Sequence, residues 1–159
     1  MYKSKVNKIS YISCNNLKKI SKESDLRRSR ICLHDNNDDP IQEMIIHFCE
    51  DSYIRPHKHK NKSESYLILD GLLDLIYFDD KGNIIERHEL SKYDKLKKNN
   101  VFYVRTKNQL YHTLLIKSKY AIILEITNGP YNKTSSIFAK WAPNNGHKSK
   151  VIKFLNSLK

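Results

Sequence analysis

Long apolar segments and paired cysteines are missing from this sequence. No run of about 18 consecutive apolar residues occurs, and residues 1–19 contain no apolar segment of signal-peptide length. Only three cysteines are present, Cys14, Cys32 and Cys49, and none belongs to a CxxC motif. These absences exclude a membrane-spanning helix and a disulfide framework, so we expect a soluble, cytoplasmic protein with reduced thiols and no membrane insertion.

Acidic residues are also in short supply. The chain has 17 Asp and Glu against 29 Lys and Arg, which gives a formal net charge of +12, and such a balance favours anionic partners. The lysines are scattered through predicted turns and both ends of the chain, and no basic run reaches five residues. This scatter argues against nucleic acid and for an anionic small molecule, although a compositional bias of the source genome would also enrich Lys, Asn and Ile.

Short strands separated by polar turns occupy most of the 159 residues, a length that fits one domain. β-branched and aromatic residues dominate Ile41–Cys49, and Asp79–Asn83 has the composition of a hairpin loop. Seven or eight short strands without alternating helices predict an all-β sandwich or small barrel. We expect separate strands on either side of Asp70-Gly71, and two more at 111–116 and 120–126.

The two ends of the chain differ from this pattern. Residues 1–26 mix polar residues with isolated apolar ones, whose spacing allows one or two short helical turns. We expect this arm to pack on a barrel formed by residues 27–143 or to cross to a partner subunit. Within residues 144–159, helical spacing of the apolar residues from about Lys148 predicts a C-terminal helix.

Histidines in the segment from Arg55 to Gly71 carry the strongest chemical signal. His57 and His59 stand two residues apart, so on a strand their side chains project from the same face. Glu64 follows at the start of the next strand, and His112 comes from a later strand that can lie across the barrel. Three imidazoles and one carboxylate leave coordination positions open for water or substrate, which is the arrangement of a catalytic metal site.

Several other residues are candidate ligand contacts. Alternation along a strand puts Arg28, Arg30 and His34 on one face, and guanidinium groups match phosphate and carboxylate oxygens. A solvated basic strand and a surface histidine are the alternatives. Glu125 should point inward together with Ile123. Its carboxylate would then orient a metal-binding histidine without itself binding the metal. The predicted catalytic residues are His34 and Tyr131. The predicted substrate contacts are Arg28, Arg30, Arg55, Tyr103 and Glu125.

The histidine motif has a known counterpart. The spacing His57-x-His59-x4-Glu64-x6-Gly71 resembles the first motif of the cupin superfamily, and His112 fits the histidine of the second. From about Arg28 to Pro143 the chain resembles the WbuC family of cupin-fold metalloproteins. Beyond the residues already named, the resemblance rests on Pro56, Phe78-Asp79-Asp80, Gly82, Tyr111-His112-Thr113, Gly129-Pro130-Tyr131, Phe138-Ala139 and Trp141-Ala142-Pro143.

This resemblance implies a cupin small β-barrel, a homodimer and one divalent transition metal, which could be Fe, Mn, Ni, Co or Zn. Genes of the family tend to lie among those for bacterial surface polysaccharides, such as O-antigen or capsule. The favoured function is therefore an isomerase or epimerase acting on a sugar or nucleotide sugar. A non-enzymatic metal-dependent ligand-binding module and an Fe(II) dioxygenase are the alternatives.

Overall fold

The computed structural model describes residues 6–107 and 109–159, so the first five residues of the predicted N-terminal arm lie outside the described part. The described residues form two α-helices, a short 3-10 helix at Lys133–Ser135 and eight β-strands. The α-helices are α1 (Tyr11–Glu23) and α2 (Lys148–Ser157). The strands are β1 (Arg28–Cys32), β2 (Ile41–Cys49), β3 (His57–His59), β4 (Glu64–Phe78), β5 (Ile84–Ser91), β6 (Tyr103–Thr106), β7 (Tyr111–Asn128) and β8 (Ser136–Phe138).

The eight strands form one curled antiparallel sheet organised around β7. This strand pairs with β2, β3 and β4, and β4 in turn pairs with β5 and β6. The two longest strands, β4 and β7, run side by side from Phe78 opposite Tyr111 to Glu64 opposite Thr127. The predicted all-β small barrel is therefore confirmed.

The interior is filled by residues that alternate along β2, β4 and β7. From β7, Leu114 and Ile116 enter the core on the same face as His112, because side chains two residues apart share a face. Each fully buried aliphatic side chain contributes about 1.5–3 kcal/mol. The face of β7 that packs in the barrel core is therefore the same face that carries His112, a candidate metal ligand.

Two strand breaks expected from the sequence are absent in the described residues. β4 runs through Asp70-Gly71 without turning, and β7 runs unbroken from Tyr111 to Asn128. Both strands are instead irregular where they pass each other, and Gly71 takes a φ of +90° there. The prediction of separate strands was wrong. At Asp70-Gly71 the reason is that a glycine with positive φ occurs in a β-bulge within a strand as well as in a turn between strands.

The N-terminal helix is longer than the one or two turns expected. Ser10 caps α1 through a capping box with Ser13, a serine pair that lacks the usual acidic partner. Leu17 packs against Ile45 of β2 and Ile122 of β7. Packing on the sheet of its own chain stabilises the helix. The length of α1 could not be predicted, because the apolar periodicity of its sequence is weak.

The C-terminal helix begins at Lys148, as the sequence predicts. The ring of Trp141 contacts Phe78, Tyr111 and Phe154, and so joins α2 to the sheet. Neither α1 nor α2 has the length and apolar character that crossing a membrane requires, and no other described helix does. The three cysteines are all unpaired, as expected.

Candidate metal centre

Four side chains from three strands converge at one end of the core. β3 carries His57 and His59, and its pairing with β7 sets His57 opposite His112. Glu64 is the first residue of β4. One ligand atom from each of the four residues lies within 4.8 Å of the others. The structure thus brings together the histidine pair, the carboxylate and the distant histidine that the sequence singles out.

The histidine rings are oriented by hydrogen bonds on their far sides. The Nδ1 atom of His57 lies 2.9 Å from the carbonyl oxygen of Arg55, and that of His112 lies 3.0 Å from the carbonyl oxygen of Leu110. A carbonyl oxygen only accepts, so each Nδ1 donates, which leaves Nε2 as the ring atom available to a metal. Such bonds fix the tautomer and aim of metal-binding histidines.

The carboxylate of Glu64 bridges two of the rings. Its Oε1 lies 3.0 Å from Nε2 of His59, and its Oε2 lies 3.0 Å from Nε2 of His112. Within the described part of the chain, Nε2 of His59 is buried without an aligned hydrogen-bond partner. An unpaired buried nitrogen is costly. Converging imidazole nitrogens, one of them unpaired, and a carboxylate fit a divalent transition metal bound between them.

The charges of the cluster suit a cation. Burial lowers the pKa of His57 to about 4, so this ring is neutral at neutral pH. Burial opposes ionisation of Glu64, but its close contacts with the imidazole rings of His112 and His59 outweigh this and hold its pKa well below the usual value. For His112, burial would lower the pKa, yet the hydrogen bond and charge of Glu64 raise it. The centre therefore offers an ionised carboxylate and a neutral imidazole at neutral pH.

The cluster opens into a cavity of about 600 Å³, a size typical of small-molecule sites. Arg28, Arg30 and His34 line it from alternate positions of β1 and the residues beyond it, as predicted from strand alternation. Nη1 of Arg28 donates to the carbonyl oxygen of Tyr53 at 2.8 Å. Arg30 makes neither a hydrogen bond nor an ion pair with the described residues, so its guanidinium is free for a ligand.

Glu125 enters the same cavity from β7. It lies opposite Tyr66 of β4, and Ile123, two residues earlier, is in the core, so the predicted inward direction is observed. Burial and the nearby charge of Glu64 raise the pKa of Glu125 to about 7. No described residue forms a hydrogen bond or an ion pair with its carboxylate. An unpaired carboxylate inside a cavity is a group available for proton transfer.

The remaining predicted contacts divide into two groups. Arg55, His34 and Tyr131 line the cavity; Arg55 is held by a 2.8 Å bond to the carbonyl oxygen of Ala139, and Tyr131 is half-exposed. Tyr103 does not line it. Its hydroxyl donates to Ser65 on the other face of β4, because Ser65 alternates with the inward Glu64. The structure therefore does not bring Tyr103 into the site.

Tyr66 is a site residue that the sequence reading missed. Its side chain is buried, and its hydroxyl donates to Oε2 of Glu64 at 2.9 Å while lying 3.2 Å from Nε2 of His112. Burial, assisted by the charge of Glu64, raises the pKa of Tyr66 well above its usual value, so it stays a donor. The available signal was its position two residues after Glu64 on the same strand face.

The curled antiparallel sheet and the three-histidine, one-glutamate cluster at the end of its core define a cupin-fold protein. By sequence, the chain belongs to the family described as Domain of unknown function (DUF6016), whose model matches residues 9–90. No curated protein matches the sequence. The more specific resemblance to the WbuC family stays a prediction.

Solved structures share the fold at low sequence identity. Protein SO0799 from Shewanella oneidensis is 7% identical, with a TM-score of 0.53 over 70% of this chain and 68% of that one. The DMSP lyase DddQ from Ruegeria pomeroyi is 16% identical, with a TM-score of 0.51 over 70% and 51%. A sugar phosphate isomerase of the cupin superfamily from Silicibacter pomeroyi is 16% identical, with a TM-score of 0.49 over 64% of this chain and 59% of its own length. The similarities to SO0799 and DddQ concern the fold alone.

Proposed function

We propose that this protein is a metal-dependent isomerase or epimerase that acts on an anionic sugar or nucleotide sugar. The observation that carries the proposal is that one cavity contains the candidate metal cluster together with a guanidinium at Arg30 and a carboxylate at Glu125, neither of which pairs with a described residue. His57, His59, Glu64 and His112 would hold one divalent transition metal. When bound there, such an ion supplies a Lewis acid that polarises a carbonyl oxygen of the ligand.

Basic side chains of the cavity would bind the anionic part of the substrate. Arg28 and Arg30 project side by side from β1, and Arg55 reaches the cavity from the segment before β3. Planar guanidinium groups bind phosphate and carboxylate oxygens through two hydrogen bonds at once. These three residues would hold the phosphate and so fix the position of the sugar carbons relative to Glu125.

Glu125 would move the proton. An isomerase needs one group that takes the proton from the carbon beside a carbonyl and returns it to the neighbouring carbon. A carboxyl group with a pKa of about 7 can do both near neutral pH. His34 and Tyr131 line the same cavity and are the other candidates for proton transfer.

The sugar substrate and the biological setting are inferred from the sequence motifs. The residue blocks that resemble the WbuC family support a role in the biosynthesis of bacterial surface polysaccharides, in the cytoplasm and as a homodimer. Size-exclusion chromatography with light scattering would measure the oligomeric state. A monomer at all concentrations would contradict the proposed dimer.

A deuterium-exchange assay tests the reaction. Untagged protein, with its metal content measured by elemental analysis, is incubated in D2O with a panel of sugar phosphates and nucleotide sugars and followed by proton NMR. We expect deuterium to enter one substrate beside its carbonyl. Glu125→Gln should slow this exchange by at least about 100-fold with the fold retained. Glu86→Gln, which changes an exposed carboxylate of β5, should have the wild-type rate.

The same assay separates the alternative functions. Saturable binding of a sugar without deuterium incorporation would favour a non-enzymatic ligand-binding module. Consumption of oxygen that requires Fe(II) would favour a dioxygenase. Less than about 0.1 equivalent of any transition metal, with no uptake on reconstitution, would contradict the metal centre itself.

A further inference from the structure

The loop between β5 and β6 exposes a leucine among lysines. We name residues 92–98 the basic loop. Leu96 is 84% exposed and Tyr93 is 67% exposed. The four lysines of the loop are exposed as well, and none forms an ion pair with the described residues; they are Lys92, Lys95, Lys97 and Lys98.

Hydrogen bonds hold the basic loop in one shape. Asn100 accepts from the backbone N–H of Asp94 and donates to the carbonyl oxygen and hydroxyl of Ser91, which closes the base of the loop. Oδ1 of Asp94 accepts from the backbone N–H of Leu96 at 3.0 Å. The ring of Tyr93 lies edge-on to Phe102. The carboxylate of Asp94, the single one in the loop, thus binds the loop backbone, and the side chain of Leu96 lies exposed to solvent.

An apolar side chain exposed among lysines that pair with no described residue matches the surface of an anionic membrane. Leucine enters the boundary between headgroups and acyl chains, while lysine ammonium groups contact lipid phosphates. Single-stranded nucleic acid, which is bound by aromatic stacking and basic groups, would use Tyr93 and the lysines but leave Leu96 in water, so it is the poorer match. We propose that the basic loop docks the protein on an anionic lipid surface.

Neighbouring residues extend the proposed docking surface. Lys92 lines a pocket together with Lys18 and Tyr11 of α1 and Leu69 of β4. Tyr11 is 80% exposed and Leu69 is 40% exposed. The first turns of α1 therefore lie beside the basic loop and add a further lysine and an aromatic ring of the kind found at membrane interfaces.

Vesicle co-sedimentation of the full chain tests the proposal. We expect binding to phosphatidylcholine vesicles that contain phosphatidylglycerol, none to phosphatidylcholine alone, and release at about 0.5 M NaCl, where charges are strongly screened. Lys97→Ala with Lys98→Ala should weaken binding about 25-fold, since each lysine near an anionic surface contributes about fivefold. Leu96→Ser should weaken it about tenfold through lost apolar burial.

Matched variants on α2 are the controls. Ile152→Ser changes a residue that is 59% exposed, and Lys148→Ala with Lys150→Ala removes two exposed lysines from the same helix. Both should bind vesicles like the wild type. If the two lysine substitutions on α2 weakened vesicle binding as much as those in the basic loop, net charge alone would explain the binding, and the proposal would be overturned. Absence of vesicle binding, or binding of an oligonucleotide that Leu96→Ser leaves unchanged, would overturn it as well.

Discussion

At the scale of single residues, one hydroxyl group positions the carboxylate of the candidate metal centre. Tyr66 donates to Oε2 of Glu64, the same oxygen that faces His112. A donor on that oxygen limits how the carboxylate can rotate toward the histidines. Partners of this kind orient the ligands of a metal without touching it.

Replacing Tyr66 by Phe should therefore weaken metal binding about 10- to 100-fold. Isothermal titration with Zn(II) into chelator-treated protein measures the affinity, and thermal melting in chelator shows whether the fold is kept. Tyr103→Phe removes a hydroxyl on the other face of β4 and should leave the affinity unchanged. An unchanged affinity in Tyr66→Phe would show that Glu64 needs no such support.

His47 makes stability depend on pH. It is buried beneath α1, with Nδ1 3.0 Å from the hydroxyl of Ser21 and its ring stacked on Tyr120. Burial, followed by the charge of Lys18, lowers its pKa below the ordinary value of 6.5. The unfolded chain therefore binds a proton at a higher pH than the folded chain. Stability from this residue is present above about pH 6.5 and is lost as the pH falls below it.

Urea denaturation in chelator at about pH 7.5 and about pH 5 measures this effect. The loss of unfolding free energy between the two pH values should be smaller in His47→Gln than in the wild type, because glutamine does not titrate. His88→Gln alters a half-exposed histidine of β5 and is the matched control. An equal loss in His47→Gln and the wild type would exclude His47 as the cause.

At the scale of elements, the irregularity shared by β4 and β7 assembles the site. On β7, His112 and Ile116 face the core before the irregularity, whereas Ile123 and Glu125 face it afterwards. An uninterrupted strand would place His112 and Glu125 on opposite faces, because they are an odd number of residues apart. The bulge brings both into one cavity.

Gly71 is the residue that permits this irregularity. Its φ is +90°, and a Cβ there would overlap the carbonyl oxygen of Tyr120. Gly71→Ala should lower the free energy of unfolding by about 2–4 kcal/mol. Gly146→Ala, where no described atom beyond the two chain neighbours lies within 4 Å of the added methyl group, should change it by less than about 0.5 kcal/mol. Denaturant titration compares the two, and similar values would contradict the strain at Gly71.

At the scale of the whole molecule, the candidate metal centre links distant parts of the chain. Its ligands come from β3, β4 and β7, so a bound ion joins residues that are up to about fifty positions apart. A ligand that binds only the folded state stabilises it by mass action.

Zn(II) at about 1,000 times its dissociation constant should stabilise the protein by about 4 kcal/mol and raise the melting temperature by about 10 °C. Differential scanning fluorimetry of chelator-treated protein measures the shift. His112→Ala removes one ligand and should shift far less, while His147→Ala, changed outside the cluster, should shift like the wild type. Equal shifts in all three proteins would place the ion elsewhere.

The sequence by itself determined the fold class and the four members of the candidate metal cluster. Alternation along strands is a local property, so the shared face of His57 and His59 and the inward direction of Arg28 follow from spacing alone. The length of α1, the continuity of β4 and β7, the outward direction of Tyr103 and the role of Tyr66 were decided only by the tertiary structure. Each of these features depends on which strand or helix packs alongside. A bulge also inverts the alternation along a strand, so the direction of a side chain beyond it cannot be inferred from spacing.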